Sequence, residues 1–287
     1  VQFVILLLSG MNLFDSICIT FGTAGTGGFG IHNDSCLGYT MPQQTIIAVF
    51  MLLFGINFNV YFLIVRKKVK EIFNIEEVKW YLIIVFGAVA AIVINWGDTE
   101  NLYYSIHHAF FSVASVITTT GYGTVDFNLW PMFSKFVIVM IMFIGACAGS
   151  TGGGMKVSRI LIYVKTVKKE IVGMIHQKSI KVLKMDGKIV EHSVIRNANV
   201  YLVSYLMIMA VSLLIVALDN FDFETSFTAV AATFNNIGPG LGKVGPTGNF
   251  SEFSNLSKLV LTFDMLAGRL EIFPMLLLFS RATWSRK

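Results

Sequence analysis

Residues 118–123 read Thr-Thr-Thr-Gly-Tyr-Gly and close an uncharged run just ahead of a long apolar stretch. The chemistry such a segment offers belongs to its backbone. Threonine is small and β-branched, and glycine reaches main-chain angles that other residues resist. A row of carbonyl oxygens from such a loop can replace the water shell of a bare cation. Two other stretches have the same character: Thr26, Gly27 and Gly28 within 23–30, and Asn236, Ile237, Gly238 and Pro239 within 235–242. Aligned on Gly27, Gly121 and Gly238, the loops place Thr26, Thr120 and Ile237 just before the glycine, and the small residues Thr20, Ala114 and Ala231 seven positions upstream. Interhelical packing would explain one such glycine loop. Three of them, each behind a short helical segment and ahead of an apolar one, point to walls of one pore. Thr119, Thr120, Gly121 and Tyr122 supply the central wall. The motifs hold no carboxylate, so selectivity would rest on neutral dipoles, reinforced by the negative C-terminal ends of the short helices.

A fourth glycine cluster, Gly149, Ser150, Thr151, Gly152, Gly153 and Gly154, interrupts an otherwise apolar segment. It is not a phosphate-cradling loop, because that motif needs a lysine where Met155 stands and a strand before it. Broken backbone at membrane depth lines a cavity or lies buried in protein, so the cluster reads as a mobile break carrying two hydroxyls. Arg269 sits inside an apolar stretch, where a charge costs about 2.5–3.5 kcal/mol on insertion scales. Its candidate partners are Asp264, Glu271 and the glycine cluster. Glu271 lies about 200° around a helix from Arg269 and is expected to serve a neighbouring helix instead. His107 and His108 are adjacent, point in different directions on a helix, and read as structural. Cys18, Cys36 and Cys147 show no framework spacing and read as unpaired thiols. No serine, histidine and acid recur in a convergent pattern, so the chain does not read as an enzyme.

These residues need a membrane to position them. Of the 287 residues, 55% are hydrophobic and 14% charged, against about 25% charged in soluble domains; mean hydropathy is +0.70. Residues 42–65, 80–96, 200–218 and 259–279 read as spanning helices, and 131–147 as another leading into the glycine cluster. Half-helices are expected at 12–21, 102–117 and 223–234. Residues 1–9 are too short to span and read as the end of a helix that begins upstream, which makes the sequence the C-terminal part of a longer chain. The polar stretch 165–197 holds eight basic and three acidic residues, with a Met-Asp-Gly-Lys turn at 185–188. Spanning helix, half-helix, glycine loop and spanning helix thus recur three times. No lysine or arginine occurs at 10–44 or 97–131, and only Lys243 at 219–257. The basic clusters lie at 66–70, 165–196 and 281–287, so the glycine loops are expected to enter from outside and the basic segments to be cytoplasmic.

The motifs at 118–123, 236–242 (Asn-Ile-Gly-Pro-Gly-Leu-Gly) and 26–29 (Thr-Gly-Gly-Phe) resemble those of the Trk/Ktr potassium-uptake family, and the resemblance extends through 148–156 and 268–273. It implies an all-α integral membrane fold, with helix–pore-helix–filter-loop–helix units arranged pseudo-four-fold around one ion pore. Residues 1–70 would be a truncated second repeat, 71–170 the third, 171–197 a cytoplasmic linker and 198–287 the fourth. The resemblance further implies K+ at the filter residues, with Na+ as a coupling or activating ion. Residues 149–154 would form an intramembrane gating loop, and Arg269 an electrostatic barrier below the filter. The implied partners are a second copy of the chain, a cytoplasmic nucleotide-binding regulatory ring of the TrkA/KtrA kind, and the lipid bilayer; no nucleic acid is expected. The location would be the plasma (inner) membrane. The basic stretch 165–196 would lie on anionic lipid or dock the ring. Repeats sharing one orientation favour a channel-like path over rocking inverted repeats; the alternative is a sodium- or proton-coupled potassium symporter.

Overall fold

The computed structural model describes residues 1–96, 101–176 and 182–284. Residues 97–100 of the expected turn, 177–181 of the basic stretch, and the terminal Arg286 and Lys287 lie outside the described residues. The helices are α1 (Gln2–Leu8), α2 (Leu13–Ala24), α3 (Met41–Phe54), α4 (Phe58–Val65), α5 (Val69–Ile72), α6 (Glu76–Trp96) and α7 (Leu102–Ile117). They continue as α8 (Met132–Ile144), α9 (Val157–Ile175), α10 (His192–Val216), α11 (Phe223–Phe234), α12 (Asn255–Arg269), α13 (Ile272–Leu278) and α14 (Arg281–Trp284).

The three short helices α2, α7 and α11 begin in the same way. Asn12 accepts the Asp15 amide at 2.8 Å, Asn101 that of Tyr104 at 3.2 Å, and Asp222 that of Thr225 at 2.9 Å. Such a cap is worth about 0.5–2 kcal/mol over alanine and fixes where a helix starts. The Thr225 hydroxyl also donates to Asp222, and the two bonds hold that carboxyl below its ordinary range. The first short helix runs to Ala24, three residues beyond the expected end, so its loop starts at Gly25.

Among the described residues, two helices are long and apolar enough to cross a membrane alone: Glu76–Trp96 and His192–Asp219, the latter being α10 with a 3-10 extension. The expected continuous spans at 42–65 and 259–279 are both broken. Helices α3 and α4 meet at 90°. The break holds because its backbone groups find partners in the middle repeat. The Gly55 carbonyl accepts the Cys147 amide, the Phe58 amide donates to Gly149, each at 3.0 Å, and Asn57 caps α4. Helix α12 stops at Arg269, and Glu271 has φ +69°, in the left-handed region. With the gap between α8 and α9, the helix after each of the three glycine loops is interrupted.

Buried side chains form two clusters. One joins α2, α3, α6, α7 and α8 through residues such as Ile47, Tyr81, Phe111 and Ile138. The other joins α10 to α13 around Tyr205, Phe234 and Leu261. Outward-facing Phe86, Ile94, Phe136, Met140 and Leu214 are exposed, an apolar exterior that suits contact with lipid. The 185–188 turn is present, between strands β1 (Lys184–Met185) and β2 (Lys188–Ile189). Asp186 and Gly187 both have positive φ, as a two-residue hairpin turn requires. Asp186 accepts the Glu76 amide at 2.7 Å, and Lys165 pairs with Glu76, so the hairpin is tied to α6 and α9. Helices α9 and α10 extend into the 171–197 segment from both sides.

Candidate functional site

The three glycine loops have one backbone conformation. Each helix end is followed by a left-handed residue, Thr26, Thr119 or Asn236, with φ between +49° and +57°, and two positions later by a positive-φ glycine. Those glycines are Gly28, Gly121 and Gly238. The closing hydrogen bond is also shared: Gly27 to Gly22 at 2.8 Å, Thr120 to Ser115 at 2.9 Å, and Ile237 to Ala232 at 2.8 Å. This corrects the sequence alignment, which matched Gly27 with Gly121 and Gly238. Gly28 is the equivalent residue, Gly27 aligns with Thr120 and Ile237, and the upstream position becomes Phe21 rather than Thr20. Two adjacent glycines left the register open in the sequence; the left-handed geometry selects the second.

The loops meet around a cavity of about 710 Å³. A Cβ on Gly28 would overlap the Thr120 carbonyl oxygen, and one on Gly121 would overlap that of Ile237. Each of these glycines therefore admits the next loop's backbone. At Gly238 nothing lies within 4 Å of the same position. Among the described residues, the carbonyls of 26–28, 119–121 and 236–238 accept no hydrogen bond. Tyr122 differs, since its carbonyl accepts the Ser115 hydroxyl at 2.6 Å. Its 2%-exposed ring braces the loop, the hydroxyl reaching the backbone of α2 at Gly22. Pro239 lines the cavity.

Beneath the loops lies the segment between α8 and α9. It is longer than the expected 149–154, running from Gly145, at φ +72°, to Lys156, at φ +76°. Gly153 donates its amide to Thr119 Oγ1 at 2.6 Å, and Thr26 Oγ1 stands 3.0 Å from the Thr151 carbonyl. The Ser150 hydroxyl bonds back to Cys147 at 2.6 Å. A Cβ on Gly153 would come within 2.8 Å of the Asn235 carbonyl. Lys156 donates its ammonium to the Gly152 carbonyl. Sequence reasoning passed over this lysine, although it is the first charge after the uncharged run 136–155.

Arg269 is the last residue of α12, not a mid-span residue. Its guanidinium donates to the Gly25 carbonyl at 2.7 Å and lies 3.3 Å from Thr26 Oγ1. The candidate carboxylates are engaged elsewhere: Asp264 with Ser212 at 2.8 Å, and Glu271 with Arg159 at 2.6 Å. The second pairing is the expected one, to a neighbouring helix, but for another reason: the helix ends at Arg269 and Glu271 turns off it in the left-handed region. The expected bond from Arg269 to the glycine segment is replaced by a relay through Thr26. His107 lies 2.8 Å from Gln44 Oε1 and His108 2.9 Å from Thr124 Oγ1, so each ring holds a different neighbour. Cys18, Cys36 and Cys147 are free thiols. Burial pushes the Cys36 thiol up to about 12, which makes it an inert packing group.

Comparison with known proteins agrees with this architecture. A sequence profile of the TrkH family, described as cation transport protein, matches residues 4–286. The Trk system potassium uptake protein TrkH of Escherichia coli (strain K12) is 34% identical over 287 residues, covering 97% of this chain and 58% of that protein. TrkG of the same strain is 33% identical over 284 residues, covering 96% and 58%. The crystal structure of the potassium transporter TrkH from Vibrio parahaemolyticus aligns with a TM-score of 0.86 at 30% identity, covering 99% of this chain and 62% of that one. The chain thus spans less than two thirds of the length of these relatives. From the profile match and the shared helical membrane fold, the chain belongs to the TrkH family of cation transport proteins.

Proposed function

We propose that this chain forms three walls of a potassium pore, a channel-like translocation subunit of a Trk/Ktr uptake system. The carrying observation is that the three loops converge on one cavity, with carbonyls at 26–28, 119–121 and 236–238 that accept no hydrogen bond among the described residues. Oxygens presented by neutral loops around a cavity can replace the water shell of a dehydrated K+. A further unit of the same kind would close the side left open beside Gly238. Residues 1–70, 71–170 and 198–287 are the three repeats in this reading, and 171–197 is the cytoplasmic linker. The glycine loops face outside and the basic segments face the cytoplasm of a plasma membrane. Residues 149–154 are the gate and Arg269 the barrier beneath the filter. A homodimer and a nucleotide-binding cytoplasmic ring are the proposed partners, by likeness to the family.

The test is flux through the full-length protein in liposomes under a potassium gradient with voltage clamped by an ionophore. Potassium should pass well ahead of sodium without a co-ion; equal passage of both would sink the reading. Sodium or proton coupling is the second reading. It is favoured by Asp264, fully buried on α12 with one carboxylate oxygen lacking a partner among the described residues. A strict requirement for a sodium or proton gradient would select it.

Arg269→Ala is expected to raise basal potassium flux about tenfold, since a hydrogen bond to a charged group is worth about 1.5–3 kcal/mol and its loss frees Gly25 and Thr26. Basal flux at the parent level, measured in the same liposomes, would remove Arg269 from the barrier.

A further inference from the structure

We propose that Glu77 is the positioning residue of the gate, its carboxylate tying both ends of the glycine segment to α6 and so holding the closed form. The inference rests on reading 149–154 as a gate. Glu77 is the second residue of α6 and only 4% exposed, a position where a charge persists only with partners. Its Oε1 accepts the Ala148 amide at 2.6 Å and the Ser158 amide at 3.0 Å. Ala148 immediately precedes the glycine run, and Ser158 is the second residue of α9, so one oxygen bridges the entry and the exit of the segment. The Ser158 amide is among the donors that the first turn of a helix leaves unpaired, and the helix dipole there also favours an anion. Gly149, at φ +70°, adjoins the first anchor, and Gly154, at φ +74°, lies four residues before the second. Within the run between them, Thr151 and Gly153 meet Thr26 and Thr119, and Gly152 accepts the Lys156 ammonium. Outside it, the Phe58 amide on Gly149 and a Val157-to-Ala146 backbone bond help to fix the flanks. The run swings as a flap hinged at its glycines while Glu77 keeps its ends in place.

Three variants separate reach from charge. Both amides sit on one oxygen, so Glu77→Gln keeps the acceptor and loses the charge. Glu77→Asp keeps the charge and draws the oxygen back by one methylene, and Glu77→Ala removes both. In the full-length protein in liposomes, Glu77→Asp and Glu77→Ala should raise basal potassium flux about tenfold, the factor by which leaving a buried amide unpaired shifts an equilibrium. Potassium-over-sodium discrimination should stay at the parent value, and Glu77→Gln should stay closed. A purely structural residue would instead lose folded protein, read by size-exclusion profile, without a leak in what remains. The proposal is overturned if Glu77→Asp does not leak, or if Glu77→Gln leaks as much as Glu77→Asp; this pair decides the matter should Glu77→Ala fail to fold. Deletion of 152–154 is run beside them. If the deletion leaks and Glu77→Asp does not, only the Glu77 assignment fails; if neither leaks, the gate reading has failed with it.

Discussion

Gly121→Ser is expected to abolish potassium-over-sodium discrimination. The substitution meets two obstacles at one residue. Gly121 has φ +86°, where a Cβ costs about 1–2 kcal/mol. The added Cβ would also overlap the Ile237 carbonyl oxygen, and backbone cannot yield as a flexible side chain can. The Asn236–Pro239 loop must retreat, and the carbonyls proposed to replace a hydration shell would lose their spacing. Gly28→Ser should behave alike, because its Cβ would overlap Thr120. Two comparisons calibrate the effect. Gly238 has φ +100° but nothing within 4 Å, so Gly238→Ser should cost strain alone. Gly123 has no positive φ, and its Cβ would lie an ordinary 3.6 Å from Pro246, so Gly123→Ala should conduct like the parent. The measurement is the ratio of potassium to sodium flux in liposomes. An unchanged ratio in Gly121→Ser would end the assignment of these loops as a filter.

Deleting residues 152–154 is expected to raise basal flux roughly tenfold or more. The deletion removes the Gly153 amide from Thr119 and the Gly152 carbonyl from Lys156. Each lost bond is worth about 0.5–1.5 kcal/mol, more where one partner is charged. It also withdraws backbone lying against the Asn235 carbonyl, directly beneath the third loop. Selectivity should survive, because the carbonyl walls at 26–28, 119–121 and 236–238 are untouched. Increased flux with intact selectivity separates this variant from Gly121→Ser. A deletion that conducts at the parent level would show that the segment obstructs nothing.

Much of the repeat was legible in the sequence because its determinants are local. The bounds 102–117 and 223–234 were recovered as they stand, since an Asn or Asp cap opens each short helix and a loop of glycine and small polar residues closes it. The hairpin at 185–188 follows from Asp-Gly for the same reason. The breaks at 55–57 and 270–271 were not legible. A single glycine in an apolar run is compatible with an unbroken helix, and nothing near Gly55 announces that Cys147 and Gly149 will take up its freed backbone groups.

The sequence by itself determined the membrane class, the threefold recurrence of half-helix and glycine loop, and the family resemblance, because composition, caps and glycine spacing act over a few residues. Tertiary structure decided the rest. It chose Gly28 over Gly27, since only the position that must admit the Thr120 backbone requires the left-handed angle. It gave Arg269 to Gly25, 244 residues away, rather than to the carboxylates beside it on the chain. It also placed Glu77 on both ends of a segment more than 70 residues downstream. Partners so distant are set by which buried donors and acceptors face each other once the helices pack, and no local pattern encodes that.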